Sequence, residues 1–550
     1  MALRVLFGPV PAAFAADRLR EVRRSGHCLT FGPGEGHDVI ASCRDGWTDV
    51  AARLPRGWRP DFLALWLAFR PLPAWVWTVP IPLIGLATDW DRRWHWHRSK
   101  VHRCDVVLTD PPGVRALATA GFERARAANL FGLGHAHLEG SPETGHRDID
   151  VLFVGDFSTE THPERQAWLA RLADLIGRRI VVTSGVSDDE YRSLLRRSRI
   201  VVNHSGRGGY NQRTFEALAA GTVLFQEETN VEVARLLTPG RDYAPYGHDE
   251  FESSLERYLK DDAARATMAV AGRARASDFS FENLWRSTAE SLTATLPHLR
   301  DRVRQRVATS VKTDWTTIAW ELPAVRLPDE SVPAYVRGLA SQSSTDAADH
   351  FATAFAENPG HALAGLAVVD ACLASGRQEE AVQAARRALD ALALASEAPD
   401  PLLDLPPYAP ELPRLVAEWD RTARLWAGNP EGEARAKREM IRGRLHAVLA
   451  GLTGELSHYY ESALATPHSP ETRISLGCAL ARAGRMVEAL PHLRMATMAR
   501  PFDAAAARAL AIALGETGNG LLVEALIDRL SRLHRIAPQA LPAQPWFGPT

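Results

Sequence analysis

The run VVNHSGRGGYNQRTFEALAAGTVLFQEETN, Val201 to Asn230, gathers residue types that could hold a phosphorylated ligand. An apolar strand ends at Asn203, a glycine-bearing loop follows, and a helix is predicted to open near Asn211 and close at Gly221 before another strand. That order sets loop N–H groups and the positive end of a helix at the carboxyl edge of a parallel sheet, where open α/β folds bind ligands. A diphosphate is the natural guest. Glu216 lies a little over one turn into the helix, too deep to cap it, and a carboxylate so placed can accept hydrogen bonds from a sugar diol. The competing reading is a solvated helix residue, and for Arg213 a pair with a surface carboxylate.

A second group lies earlier. Asp89-Trp90-Asp91 has the D-x-D spacing of a metal site, yet it stands in the first α/β stretch, away from the phosphate loop, and no metal is expected there. Beside Arg92 and Arg93 either carboxylate would remain ionised and could act as general base toward a hydroxyl. Strand-end capping is an equal reading. His95 and His97 form an H-x-H without an evident third ligand, and Trp94 and Trp96 suggest a packed or acceptor-contacting face.

The elements that must position these residues alternate. LRVLFG, DFLALWLA from Asp61, LIGLATD from Leu83 and DVVLTD from Asp105 read as strands of a parallel sheet with covering helices. A polar connector, Leu138 to Asp148, precedes a restart of the pattern: DVLFVGD at Asp150, RIVVTSG at Arg179, RIVVNHS at Arg199 and GTVLFQ at Gly221. Two α/β units in tandem follow, joined near residue 145. The first strand is placed at Leu3 to Phe7, and prolines make Pro71 to Thr88 a buried strand, loop and strand rather than a membrane helix.

Beyond Pro333 the strands stop and a 34-residue regularity begins. Ala347, Phe351, Ala354 and Pro359 fill one frame. A unit from Ala362 carries Gly376, Ala381, Ala385 and Ala388, and a clearer one from Pro470 carries Leu476, Gly477, Leu480, Gly484, Ala489, Leu493, Ala496 and Pro501. Weaker units start at Ala436 and Ala504, and Pro399 to Pro413 holds the extra residues between copies. These resemble tetratricopeptide (TPR) repeats, helix pairs that stack because none buries its apolar face alone.

Composition narrows the class. With 46% hydrophobic and 24% charged residues in 550, the chain is globular at the scale of two to four domains, and disorder, collagen and coiled coil are excluded. A net charge of -2 removes the bulk electrostatic argument for nucleic acid or an anionic membrane. Five scattered cysteines without C-x-x-C spacing fit a reducing, cytoplasmic setting.

The phosphate-loop run resembles the nucleotide-sugar motif of GT-B glycosyltransferases of the group-one superfamily, particularly its CgeB-like branch, approximately R-x-F-E-A-x-A-x-G. Arg213, Phe215, Glu216, Ala217, Ala219 and Gly221 stand at those places. Companion pieces occur in the family's order: Asp150 to Gly155, His162 to Arg165, Ile200 to Asn203, and in the first domain ATDWDRRWHW followed by CDVVLT. The resemblance covers residues 1 to about 300. It implies that Glu216 accepts hydrogen bonds from ribose, that Gly209, Tyr210, Asn211 and Gln212 give backbone donors to the diphosphate, and that Arg213 and Arg165 neutralise the leaving group. Gly185 and Val186 lie where the base rests, and Gly155 and Asn203 belong to the donor-side motifs. Many retaining relatives carry a glutamate where this chain has Gly208.

The expected fold is therefore α/β followed by all-α: a GT-B pair of Rossmann-like domains facing a cleft, then a TPR-like α-solenoid. The expected domains are 1–145 on the acceptor side, 146–300 for the nucleotide sugar, a helical linker at 301–333 and repeats at 334–550. The expected activity is metal-independent transfer of a hexose-type unit from a nucleotide diphosphate sugar, with no cofactor, to a protein or peptide acceptor held by the repeats. Asp89 or Asp91 would be the base and Arg213 the leaving-group partner. The rivals are glycan or cell-envelope polysaccharide assembly with the repeats as a docking module, and a scaffold whose transferase half is inactive. In this reading the repeats select the acceptor and do not build the donor site. No nucleic acid and no transmembrane segment are expected.

Overall fold

The computed structural model describes residues 3–32, 34–41, 45–67, 72–90, 97, 100–119, 121–139, 147–157, 162, 165–205, 209–309, 331–341, 343–394 and 430–540. They fall into two compact units, residues 1–153 with 186–322, and residues 154–185 with 323–550.

The first sheet has seven strands in the order β3-β2-β1-β4-β5-β6-β7. They are β1 (Val5–Gly8), β2 (Cys28–Gly32), β3 (Val39–Ile40), β4 (Phe62–Trp66), β5 (Leu83–Leu86), β6 (Val106–Thr109) and β7 (Ala125–Ala127). Every pairing is parallel. Strands such as Phe62–Trp66 and Val106–Thr109 are apolar almost throughout because helices cover both faces of a parallel sheet. The second sheet runs β12-β11-β10-β8-β9, with β8 (Ile149–Val154), β9 (Ile180–Thr183), β10 (Ser198–Asn203), β11 (Val223–Glu227) and β12 (Ala244–Tyr246). The tandem α/β reading is thus correct.

Two local readings shift. The first strand begins at Val5 rather than Leu3. In Pro71 to Thr88 the structure forms a 3-10 turn, Ala74–Thr78, and then the single strand β5, with β4 already ended at Trp66. Prolines at 73, 80 and 82 supply no ladder donors, and the turn instead buries Trp75 and Trp77.

Chain that follows the second sheet returns to the core of the first. Phe281 and Trp285, on the helix Phe281–Leu292, pack with Phe7, Phe62 and Val303 in one cluster, and Trp285 meets Phe7 edge-on at 5.0 Å between ring centroids. The helix Arg300–Thr309 is fastened there too. Buried Arg306 donates to the carbonyls of Trp77 (2.8 Å), Val79 (3.0 Å) and Ile81 (2.7 Å) and lies 3.2 Å from Asp105. The described start of the expected linker is therefore an anchored helix; residues 310–330 lie outside the described residues.

Residues 323–550 are helical throughout their described part. The pairs are Ser331–Ala340 with Ser344–Glu357, Ala362–Ala374 with Gln378–Leu394, Pro430–Thr453 with Leu456–Ala465, Pro470–Arg482 with Met486–Ala499, and Ala504–Glu516 with Gly520–Ile536. The repeat frames read from the alanines open helices at Ala362, Pro470 and Ala504 as expected, while the unit placed at Ala436 opens earlier, at Pro430. Pro399 to Pro413 lies outside the described residues. Packing sets the small residues: a Cβ on Gly477 would come within 2.7 Å of Leu493, so the two helices of that pair touch only because position 477 is glycine. Among the described residues no helix is long and apolar enough to cross a membrane.

Candidate active site

Strand β10 delivers Asn203 to the carboxyl edge of the second sheet, and the helix Gln212–Ala219 starts nine residues later. Asn211 caps that helix, its Oδ1 accepting from the Thr214 N–H at 3.1 Å, as the Asx preference for this position predicts. Gly221, at φ 64°, ends the element in a conformation glycine adopts without strain.

Asn203 is a buried hub. Its Nδ2 lies within hydrogen-bond distance of Asn211 Oδ1 (3.0 Å), Thr214 Oγ1 (3.0 Å) and Gln226 Oε1 (2.7 Å). Its Oδ1 accepts from Asn211 Nδ2 and Arg213 Nη1, both at 2.9 Å. The geometry makes Asn203 a brace for the helix start and for Arg213, so the donor-side role expected of it has a structural competitor. Arg213 also lies with its guanidinium 4.4 Å from the centroid of Phe153, and burial lowers its pKa.

Glu216 is 6% exposed. The Tyr191 hydroxyl, on the helix Asp188–Arg197, donates to its Oε2 at 2.7 Å. His137 Nε2, on the short helix His135–Leu138, lies 3.5 Å from its Oε1. Burial, and then the neighbouring Glu216 carboxylate, hold the Tyr191 phenol well above its ordinary pKa, so it stays a donor. Burial depresses His137, with Glu216 opposing it and Arg192 and Arg18 adding to it. Arg18, on the helix Ala12–Arg18, has its own pKa lowered by burial while the negative charge of Glu216 opposes that shift. Glu216 thus faces groups from both α/β stretches, and the solvated-residue reading of it does not stand.

The loop itself is held from below. Glu227, at the end of β11, accepts from the Ser205 N–H at 2.9 Å and from the Ser205 hydroxyl. Asn230 Nδ2 donates to the Gly209 carbonyl at 3.1 Å and to Ser205 Oγ at 2.7 Å. Tyr210 sits 3.4 Å from Glu232, and burial with that carboxylate raises its pKa to about 12. Gln212 is exposed at the first turn of the helix. Across from the loop stands Asp110, which follows β6: a Cβ on Gly209 would lie 3.1 Å from its Oδ2. Asp110 Oδ1 accepts from Trp90 Nε1 and from the Gly113 N–H, both at 2.7 Å.

Asp89 occupies a turn after β5 at φ 50°. Asp91, His95 and Gly208 lie outside the described residues. His97 is buried with Nε2 2.8 Å from the Thr88 carbonyl, a packing role. Among the described residues no group of three His, Cys, Asp or Glu could hold a metal ion.

Gly155, Arg165 and Gly185 belong to the unit that contains residues 154–185, and Val186 to the other. Gly155 follows β8 at φ 149°, and its N–H donates to the Thr183 carbonyl at 3.0 Å. Arg165 opens the helix Arg165–Arg171, is buried, and donates to the Asp156 carbonyl. That bond ties its guanidinium to its own segment, so the diphosphate role expected of Arg165 has a structural competitor. Gly185, at φ 69°, has open space where a side chain would stand. Val186 is half-buried just before the helix Asp188–Arg197.

Sequence reasoning missed Tyr191, His137, Arg18, Asp110 and Glu227. Only Asp110 and Glu227 carried a signal, each being a carboxylate at the carboxyl end of an apolar strand.

No curated protein matches the chain. Sucrose-phosphate synthase from Thermosynechococcus elongatus is similar at 13% identity, covering 55% of this chain and 100% of its own, with a TM-score of 0.39. HepE from Anabaena in complex with UDP-glucose is similar at 15% identity over 53% of this chain and 100% of its own, TM-score 0.34. YrrB, a TPR protein with an unusual peptide-binding site, is similar at 16% identity over 38% of this chain and 87% of its own, TM-score 0.26. Residues 144–290 match the family model described as glycosyl transferase-like.

Proposed function

We propose that the protein transfers a hexose-type unit from a nucleotide diphosphate sugar to a protein acceptor captured by the helical array. The observation that carries the reading is Glu216: a buried carboxylate in the capped helix behind the phosphate loop, oriented by Tyr191 and facing His137. Its carboxylate suits the two hydroxyls of a ribose. The N–H groups of Gly209, Tyr210, Asn211 and Gln212 at the helix start suit the diphosphate, and Gly185 and Val186 suit the base.

In the reaction the bond between the anomeric carbon and the diphosphate oxygen breaks, and its electron pair leaves on the diphosphate. Arg213, steadied by Asn203 and Phe153, offsets the growing charge together with the N–H groups, the part a metal plays in other transferases. The acceptor oxygen bonds to the anomeric carbon and gives its proton to a carboxylate of the first α/β stretch: Asp89, Asp91 or Asp110. The family-level match of residues 144–290 supports the transferase class, and the paired helices beyond Pro333 support a macromolecular acceptor.

The test is thermal unfolding of the full chain against a panel of nucleotide sugars, since a ligand at 100 times its Kd stabilises by about 2.7 kcal/mol. Stabilisation by one nucleotide family supports the reading. A melting temperature unmoved by every nucleotide sugar overturns it.

A further inference from the structure

Where the helix Phe281–Leu292 lies over the first sheet it leaves a recess of about 450 Å³. All of it belongs to the unit of residues 1–153 with 186–322. Its floor is apolar, made by Val5, Val22, Cys28, Phe62, Trp285 and Ala289. Val5, Cys28 and Phe62 are the first residues of β1, β2 and β4, and the register sets them side by side. The recess therefore opens at the amino edge of that sheet. Thr109 and Asp110 stand at the carboxyl edge, so the recess is separate from the candidate active site.

The covering helix explains the gap. Glu282, Trp285, Arg286, Ala289 and Thr293 follow the spacing of one helix face. Trp285 meets Phe7 and Phe62 at 5.0 and 6.3 Å between ring centroids and fills the space toward the core. One turn on, Ala289 ends at its methyl and leaves the space empty. An apolar cavity of about 150 Å³ holds a benzene ring, and this recess is about three times as large, within the size of sites for small organic ligands. At its mouth three carboxylates, Glu21, Glu282 and Glu290, face one guanidinium, Arg286. Glu21 pairs with Arg24 at 2.8 Å, and Glu282 accepts from the Glu21 N–H at 2.5 Å and lies 3.3 Å from His135 Nε2. Arg286 is bonded to Asn283 Oδ1, and His27, 3.0 Å from Ser25 Oγ, completes the rim. Glu290 is exposed and has no ion-pair partner among the described residues.

We infer that this recess binds a small aromatic amine, its ring between Val22, Phe62 and Trp285 and its ammonium at the mouth against the carboxylates of Glu290 and Glu282. The apolar floor selects the ring, and the excess of carboxylates selects the sign of the head group. A ligand there touches the covering helix and the strand starts together, so its binding fastens Phe281–Leu292 onto the first sheet. The inference is independent of the donor-site reading, since none of these residues belongs to that site.

The experiment uses the full chain and calorimetric binding of three probes built on one ring system: tryptamine, a cation; indole-3-ethanol, neutral; and indole-3-acetate, an anion. Tryptamine should bind about two- to five-fold more tightly than the alcohol, the scale of an exposed ion pair, and the acetate more weakly than either. Glu290 is exposed, so Glu290→Gln should keep the wild-type melting temperature while reducing the advantage of tryptamine over the alcohol. Ala289→Trp, which puts an indole of its own into the recess, should abolish binding of all three; if that chain fails to fold, Glu290→Gln decides the matter alone. A wild-type chain that binds none of the probes overturns the inference, and so does indole-3-acetate binding as tightly as tryptamine. An unaltered preference for tryptamine in Glu290→Gln, or undiminished binding in a folded Ala289→Trp chain, puts the amine elsewhere on the protein and overturns it as well.

Discussion

Tyr191 and Glu216 are joined by a 2.7 Å hydrogen bond from phenol to carboxylate, across two helices that flank the second sheet's carboxyl edge. The carboxylate is therefore aimed before any ligand arrives, and a raised phenol pKa keeps the donor protonated at any physiological pH. Pre-set geometry of this kind reduces the ordering cost of binding.

Glu216→Ala should weaken nucleoside diphosphate binding by about 1.5 to 3 kcal/mol, the range for hydrogen bonds to a charged group. Tyr191→Phe leaves the carboxylate present but unsteered, so it should raise the donor KM roughly two- to ten-fold with kcat nearly unchanged. Calorimetry and steady-state kinetics on the two variants check the pair. Tyr191→Phe kinetics identical to wild type would show that Glu216 holds its position without it.

Arg213 should act on turnover more than on binding. Its guanidinium is braced by Asn203 at 2.9 Å and by the face of Phe153, and a lysine cannot reproduce both contacts. Arg213→Ala should lower kcat by about 100-fold, the scale for loss of one preorganised charge-stabilising group. Activity in the wild type should persist in EDTA. An enzyme silent in EDTA and rescued by manganese would move the leaving-group role from Arg213 to a metal.

Arg306 and Asp105 form a buried pair, Asp105 being 0% exposed, and it clamps the helix Arg300–Thr309 to the first sheet. Removing Arg306 leaves the carbonyls of Trp77, Val79 and Ile81 without their donor and Asp105 with only Arg302 at 3.7 Å and the Leu83 N–H. Arg306→Ala should cost about 3 to 5 kcal/mol in urea unfolding, more than a surface arginine would. A single-variant loss below about 1 kcal/mol would mean that the pair is solvated in solution.

One buried histidine makes the stability of the array depend on pH. His361 is fully buried between Tyr335, at 4.9 Å between ring centroids, and Ser331 Oγ, 2.9 Å from its Nδ1. Burial depresses its pKa to about 3 from 6.5. The folded histidine is neutral while the unfolded one gains a proton below 6.5, so the unfolded state binds more protons and stability falls with falling pH. The stability is fully present above pH 6.5 and declines progressively toward pH 3, by roughly 3 to 5 kcal/mol in all. Urea unfolding at pH 7.5 and pH 4.5 should separate the wild type strongly, and His361→Gln should shrink the difference. Equal pH dependence in both chains would assign the acid loss to other groups.

Sequence by itself determined whatever depends on neighbours along the chain. The end of β10 at Asn203, the cap at Asn211, the stop at Gly221 and the repeat starts at Ala362, Pro470 and Ala504 are set by apolar period, Asx capping and glycine conformation within one or two turns. Glu216 was legible for the same reason, since its depth in the helix follows from counting. Only the tertiary structure decided what meets it. His137 and Tyr191 reach Glu216, Asp110 reaches Gly209, and Gln539 reaches Thr183, because folding brings together elements tens to hundreds of residues apart, and no local spacing encodes those distances. Asn203 shows the same limit from the other side: the family motif set it on the donor side, and only packing showed that its amide is also held by Asn211, Arg213, Thr214 and Gln226.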